Sequence, residues 1–324
     1  MPQLTLFDAD ERPPQAARLA PKLRALADQG IYLGTSSWKY EGWLGSIYSS
    51  SRYAARGRFS SSKFEADCLA EYAETFPVVC GDFSFYQFPT TDYWKRLFGE
   101  TPRSLQFAFK VPEEITVTTW PRHARYGTRA GQPNGSFLDA ELFERRFAEP
   151  LSTYADRVAT LIFEFGTIPR AAIATPAEFA QRLDAFLDTL PGGFRYAVEV
   201  RNPEYLFPGY LEALHRRGAA HVLNAWTRMP SLADQAGRPG VFTSDFVVVR
   251  ALLRPGRTYE QAVARFSPYR AVVEPDPDAR DALTRIADRA RSSGRTAYVF
   301  VNNRLEGHAP TTIEAFAEAL GAGS

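Results

Sequence analysis

Eight short apolar runs in this chain end in residues that could do chemistry. Reading their C-terminal ends in order gives Ser36 and Trp38, Asp82 and Ser84, Lys110, Glu164, Glu199 and Arg201, Asn224, Arg250, then Asn302 and Asn303. Residues two apart on an extended strand share a face. In RYAVEVR, Ala197, Glu199 and Arg201 therefore point together, and in LQFAFK so do Gln106, Ala108 and Lys110. A charge at the end of an apolar strand is costly unless it is paired or meets a ligand. An internal salt-bridge network answers that requirement, and so does a binding site. Repetition of polar ends on every run favours the site.

The types present suggest specific roles. Glu164 and Glu199 have the makings of an acid/base pair, although nearby arginines lower carboxyl pKa values, the opposite of what a general acid needs. Asp82, Glu164 and Glu199 together are candidate ligands for Mg²⁺ or Mn²⁺. Lys110, Arg201 and Arg250 are suited to holding phosphate, with Asn224, Asn302 and Asn303 orienting a substrate. Of the four histidines, only His308 follows a strand closely enough to be a catalytic candidate; His215 reads as a surface residue and His221 begins its strand. A G-x-S-x-G nucleophile turn is absent.

The elements that must position these residues read as strands over 31–38, 78–85, 105–110, 159–165, 195–201, 220–226, 245–251 and 296–303, with helical patterns between them. Eight strand–helix units without a G-x-G-x-x-G or G-x-x-x-x-G-K-S/T motif predict a TIM-like (β/α)8 barrel rather than an open nucleotide-binding sheet. Its functional end is the C-terminal end of the strands. The expected organisation is a flexible tail over residues 1–13 and one α/β barrel domain over 14–324. A helix over 13–30, apolar at Ala16, Leu19, Leu23 and Leu26, is expected to close the bottom of the barrel.

The chain has 324 residues and a net charge of +1, which argues against a general nucleic-acid binder. Distribution matters more than the total. Segments 42–63, 115–138 and 246–259 contain no acid but carry Arg52, Arg56, Arg58, Lys63, Arg122, His123, Arg125, Arg129, Arg250, Arg254 and Arg257. They predict a basic mouth for an anionic ligand, with Trp43, Tyr48, Tyr53, Trp120 and Tyr126 available to stack on bases or sugars. No apolar run is long enough for a transmembrane helix, and no signal peptide is evident. Two cysteines, Cys68 and Cys80, fit packed thiols in a reducing cytoplasm.

Five segments, GTSSWKYEGWLGSIY (34–48), FYQFP (85–89), FAFKVPEEIT (107–116), YAVEVRNPEYL (196–206) and VNNRLEGHAP (301–310), give the chain a resemblance to the YecE-like family, domain of unknown function 72. It covers about Ile31 to Leu320 and implies a TIM-like barrel. Carried over by position, the family's site-like residues correspond to Ser36, Trp38, Tyr40, Trp43, Tyr86, Lys110, Glu199, Arg201, Asn302, Asn303 and Gly307. Where members read V-E-I-N this chain has Cys80 in place of the acid and Asp82 in place of the asparagine. Where glutamine is typical on strand four it has Glu164. A carboxylate is thereby expected to have moved from one strand to another.

Ahead of the barrel, QLTLF (3–7) is similar to the bacterial sliding-clamp binding pentapeptide, with Gln3, Leu4, Leu6 and Phe7 as its partner-binding residues. A flexible tail can present such a peptide to an apolar pocket; the competing expectation is that it packs on its own barrel. The leading functional expectation is an enzyme of DNA maintenance acting on a phosphate-bearing nucleic acid or nucleotide and tethered to the clamp, with a hydrolase chemistry of phosphoesterase or nuclease type. The alternatives are a sugar or sugar-phosphate isomerase or lyase, and a non-catalytic adaptor.

Overall fold

A computed structural model describes residues 12–322. Eight strands follow one another around a closed, all-parallel barrel: β1 Ile31–Thr35, β2 Val78–Gly81, β3 Gln106–Lys110, β4 Val158–Phe165, β5 Tyr196–Val200, β6 Ala220–Ala225, β7 Phe246–Ala251 and β8 Thr296–Val301. Period-two alternation divides each strand between two cores. Leu33, Phe109, Phe163, Val198, Val249 and Val299 face outward into the large layer beneath the helices. Val78, Cys80, Ala108, Ile162, Ala197, Val222, Val248 and Phe300 fill the interior. Following the inward face one step further along each strand reaches Ser36, Asp82, Lys110, Glu164, Glu199, Asn224, Arg250 and Asn302. The apolar layer therefore ends where the polar ring begins.

Several strands are shorter than the sequence predicts. β1 and β2 stop at Thr35 and Gly81 and β8 at Val301, so Ser36, Trp38, Asp82, Asn302 and Asn303 lie just beyond the ladder. Helices start where side chains replace missing backbone partners. Ser60, Thr90, Thr175 and Asp276 each accept a backbone N–H in the first turn of the helix that follows, and Thr258 and Gln261 form a reciprocal capping box.

The helix Pro14–Asp28 does not close the barrel bottom. It runs down the outside, its Lys22 and Arg18 paired with Glu318 and Glu314 of the helix Ala309–Ala322. The Ala16 amide donates to Ser46 O, in the loop beyond β1, at 3.0 Å. Its buried stripe, Leu19, Leu23 and Leu26, faces the outer layer. Aromatic side chains close the base instead: Tyr32 and Tyr298 stack with ring centres 5.2 Å apart, and Arg195 donates to the Tyr298 hydroxyl.

Among the described residues no helix is long and apolar enough to cross a membrane. Gln3, Leu4, Leu6 and Phe7, and most of the expected tail, lie outside the described residues.

Candidate functional site

Register places Glu164 directly opposite Glu199 on β4 and β5, both on the inward face. Two carboxylates side by side repel, and Arg250 reaches across the barrel to bridge them. Its Nη1 lies 2.6 Å from Glu164 Oε2 and also bonds Glu199 Oε2, while Nη2 lies 3.4 Å from Asp82 Oδ1. Lys110 Nζ lies 3.0 Å from Glu164 and 3.7 Å from Asp82. Arg201 completes the ring, with Nη2 2.9 Å from Glu164 Oε1 and Nε 3.2 Å from Glu199 Oε1. Three carboxylates thus answer three cations, with Glu164 touching all three. Burial alone would push Glu164 up, but Arg201, Lys110 and Arg250 outweigh it and hold the carboxyl well below its usual range. Burial also opposes the charge of Arg250, which Glu199, with Cys80, Glu164 and Asp82, more than restores.

Aromatic rings stack against two of the cations. Lys110 Nζ sits 3.6 Å from the centre of Phe85, and the Arg201 guanidinium 3.8 Å from Trp226. Glu199 and Arg250 are sealed, whereas the side chains of Asp82 and Arg201 are 40% and 15% exposed. The network therefore meets solvent through those two residues.

Other candidates serve different ends. Asn302 donates to Ser36 Oγ at 2.6 Å, stitching β8 to the segment after β1. Asn224 spends its amide on the Val200 and Val222 carbonyls, and its buried Oδ1 has no partner among the described residues. Trp38 is buried, and its indole N–H has no partner among the described residues. Tyr86 is 56% exposed and stacks under Arg125.

Four expectations are corrected. Trp43 is fully buried, its indole donating to Asn303 Oδ1, which also accepts the Ala309 amide; both residues brace the loop and offer no surface to a ligand. His308 does not join the carboxylates. It is buried at the start of the last helix against Thr311, Ser46 and Trp43, and burial lowers its pKa to about 4. Asp82, Glu164 and Glu199 form no metal-binding cluster: none exists among the described residues, and the Arg250 guanidinium fills the position between them that Mg²⁺ or Mn²⁺ would need. The mouth is also less basic than the loop sequences imply. Arg52 pairs with Glu71 and Glu74, and Arg254 and Arg257 pair with Glu274 and Asp276, acids from neighbouring segments. Tyr48, Tyr53, Trp120 and Tyr126 are buried rather than presented for stacking.

Sequence reasoning missed Arg304 and Tyr269. Arg304 stacks 4.7 Å over Tyr259, and Tyr269 packs edge-on to Tyr40 at 5.5 Å, both at the rim between β7 and β8. The clue to Arg304 was its place in NNRLEG, immediately after the two asparagines; Tyr269 left no comparable mark.

The fold and the ring of charges at its mouth define a (β/α)8-barrel protein with an ionised, polar strand-end centre. A model of the family described as protein of unknown function DUF72 matches residues 32–324, and the chain belongs to that family. The protein YecE (UPF0759) of Escherichia coli strain K12 is 27% identical over 202 residues, which is 60% of this chain and 58% of that protein. The chain thus spans less than two thirds of the length of the curated relatives it matches. Among solved structures, a DUF72 family protein from Thermotoga maritima MSB8 is similar with a TM-score of 0.59 and 20% identity, over 90% of this chain and 99% of that one. Another from Enterococcus faecalis V583 gives 0.58 and 17%, over 90% and 95%. At these identities the structures speak for the fold alone.

Proposed function

We propose that the barrel mouth is the active site of an enzyme that moves a proton next to a carbonyl in a small phosphate-bearing substrate, a sugar phosphate or nucleotide, as an isomerase or lyase does. The observation that carries this reading is the neutral network of three carboxylates and three cations, which meets solvent at Asp82 and Arg201. Glu199 serves as the base. Its carboxylate is paired with Arg201 and Arg250. A polar substrate that draws the rim guanidinium of Arg201 to itself uncovers Glu199 Oε1, the oxygen that then faces the substrate. The carboxylate then takes a proton from carbon, the electron pair moves into the carbonyl to give an enediolate, and Lys110 and Arg201 stabilise its oxygen. At a hydroxyl-bearing carbon, the hydroxyl proton then passes to the former carbonyl oxygen, Glu199 returns its proton to the former carbonyl carbon, and the old hydroxyl oxygen becomes the new carbonyl, which completes an isomerisation. Phosphoester hydrolysis fits less well, because the carboxylates surround a guanidinium rather than an open ligand position.

Calorimetric screening of sugar phosphates and mononucleotides tests this reading, followed by Glu199→Gln. Turnover lost with binding retained supports it; undiminished turnover in the variant overturns it.

A second reading keeps the nucleic-acid substrate and the clamp. It is favoured by Arg122, Arg125 and Arg129, exposed on one loop and without an ion pair among the described residues. It requires salt-dependent oligonucleotide binding that disappears when all three are changed to glutamine. It also requires binding to a purified sliding clamp that is lost in Leu6→Ala/Phe7→Ala. Absence of either binding by the intact protein removes it.

A further inference from the structure

Lys110, Arg201 and Arg250 each face two or three carboxylates, so their charge is balanced inside the network and, in the proposed reaction, Lys110 and Arg201 are needed at the reacting oxygen. An anionic group arriving at the mouth needs a cation that is not. Arg304 meets that requirement. It lies three residues past β8, its amide donates to Asn302 Oδ1 at 3.0 Å, and Asn302 in turn holds Ser36. Among the described residues no carboxylate pairs with its guanidinium, and its Nε is buried without a hydrogen-bond partner.

The surroundings of Arg304 are built and rigid. Its guanidinium lies 4.7 Å from the ring centre of Tyr259, which is itself 47% exposed. Stacking leaves the edge of the fork free to donate. Tyr269 stands alongside, edge-on to Tyr40 at 5.5 Å. Its φ of +66° is a left-handed conformation that bulky side chains rarely adopt, and such strain persists only where the neighbours over-determine it. Two glycines do so here. A Cβ on Gly42 would lie 2.0 Å from Pro268 O, and one on Gly307 2.6 Å from Ala271 O, so the segments after β1, β7 and β8 are locked at backbone contact. Burial pushes the Tyr40 and Tyr269 phenols up, against the pull of the nearby Arg304 charge, which keeps both as neutral O–H donors. Asn302, which takes the Arg304 amide and holds Ser36, belongs to the polar ring at the strand ends, and this sets the cage beside the ion network.

We propose that Arg304 anchors the phosphate of the substrate, with the hydroxyls of Tyr40, Tyr259 and Tyr269 around it, while the reacting carbon lies over Glu199. The proposal rests on the barrel-mouth reading above and assigns the anionic end of its substrate. It places the phosphate on the loops after β7 and β8, where (β/α)8 barrels frequently bind one.

The test is titration of the full chain with inorganic phosphate by calorimetry. Arg304→Gln is expected to weaken binding at least about tenfold, because it removes a charge-assisted pair of hydrogen bonds. Tyr259→Ala, at an exposed position that the fold does not need, is expected to weaken it about two- to fivefold. Arg270→Gln, an exposed arginine in the same region, is expected to leave binding within error of the wild type. Wild-type phosphate affinity in Arg304→Gln overturns the proposal, as does failure of the unmodified protein to bind phosphate. Binding lost in Arg201→Gln but kept in Arg304→Gln also overturns it and moves the anion into the network, leaving the mouth reading intact. Phosphate held by Arg304 alongside undiminished turnover in Glu199→Gln has the opposite meaning: the anchor stands and the mechanism falls.

Discussion

Arg250 is the residue on which the centre depends. Its guanidinium touches Asp82, Glu164 and Glu199 from within the barrel. Replacing it with leucine leaves two sealed carboxylates underpaired, and breaking a buried pair in this way costs about 3–5 kcal/mol. Urea unfolding of Arg250→Leu should show that loss, and Arg201→Leu, at the solvated rim, a smaller one. The Cys80 position offers a finer test. Cys80 lies on the inward face one step below Asp82, among apolar neighbours, and burial raises its thiol to about 12. Cys80→Glu alone adds a fourth carboxylate and should destabilise the fold, while Cys80→Glu with Glu164→Gln restores the charge balance and should recover most of the loss. Equal stability of the single and double variants would refute that exchange. The six members of the network were legible in the sequence because strand alternation fixes which side chains share the interior. Their neighbours were not. Trp43, Asn303 and His308 follow strands in the sequence as the others do, but Trp43 and Asn303 hold each other, and Ser46 holds His308, across more than 250 residues. The same distance hid the value of Arg304, whose neighbours Tyr259, at the start of the helix Tyr259–Phe266, and Tyr269 belong to the segment after β7.

Strand and helix order could be read in the sequence, since eight alternating units admit few topologies. Strand ends were less accurate because polar residues prolong an apparent run after the ladder has stopped, as Ser36 and Asn302 do. The first helix shows a different limit: its stripe of Leu19, Leu23 and Leu26 reveals that a face is buried, not which surface buries it. Charge reading by loop failed for the same reason, since Glu71 and Glu74, which answer Arg52, belong to a helix. Two glycines carry predictions at this scale. A Cβ at Gly34 would lie 1.9 Å from Val78 O, where β1 meets β2. Gly34→Ala must part those strands and should cost at least about 2 kcal/mol in thermal or urea unfolding. Gly42→Ala instead pushes on Pro268, so its effect should fall on phosphate affinity at Arg304 as well as on stability.

Two buried histidines set the acid limit of the whole molecule. Burial lowers His308 to about 4 and His221 to about 3. Protonation is therefore easier in the unfolded chain, whose imidazoles titrate near 6.5, and stability should fall as the pH drops from about 6.5 towards 4. For His308 the full loss is about 3 kcal/mol, and the pH dependence of a urea midpoint should be shallower in His308→Gln, with the His221 share remaining. A midpoint that does not move between pH 7 and 5 would contradict both placements. The thiols report on the same global event. Cys68 and Cys80 are buried, with pKa values raised to about 12 by that burial, so alkylation of the native protein should proceed only at the rate at which it opens. The position of the first helix has a practical consequence. Because it descends from the mouth end to the base, the described chain enters at the open end, beside Ser46, while the helix Ala309–Ala322 leaves it at the base. A tag, surface linker or fused domain joined directly to Arg12 would therefore start beside the barrel mouth, the end at which the proposed substrate binds. One attached after Ala322 hangs from the opposite pole, and immobilised assays of this protein should be built from that end.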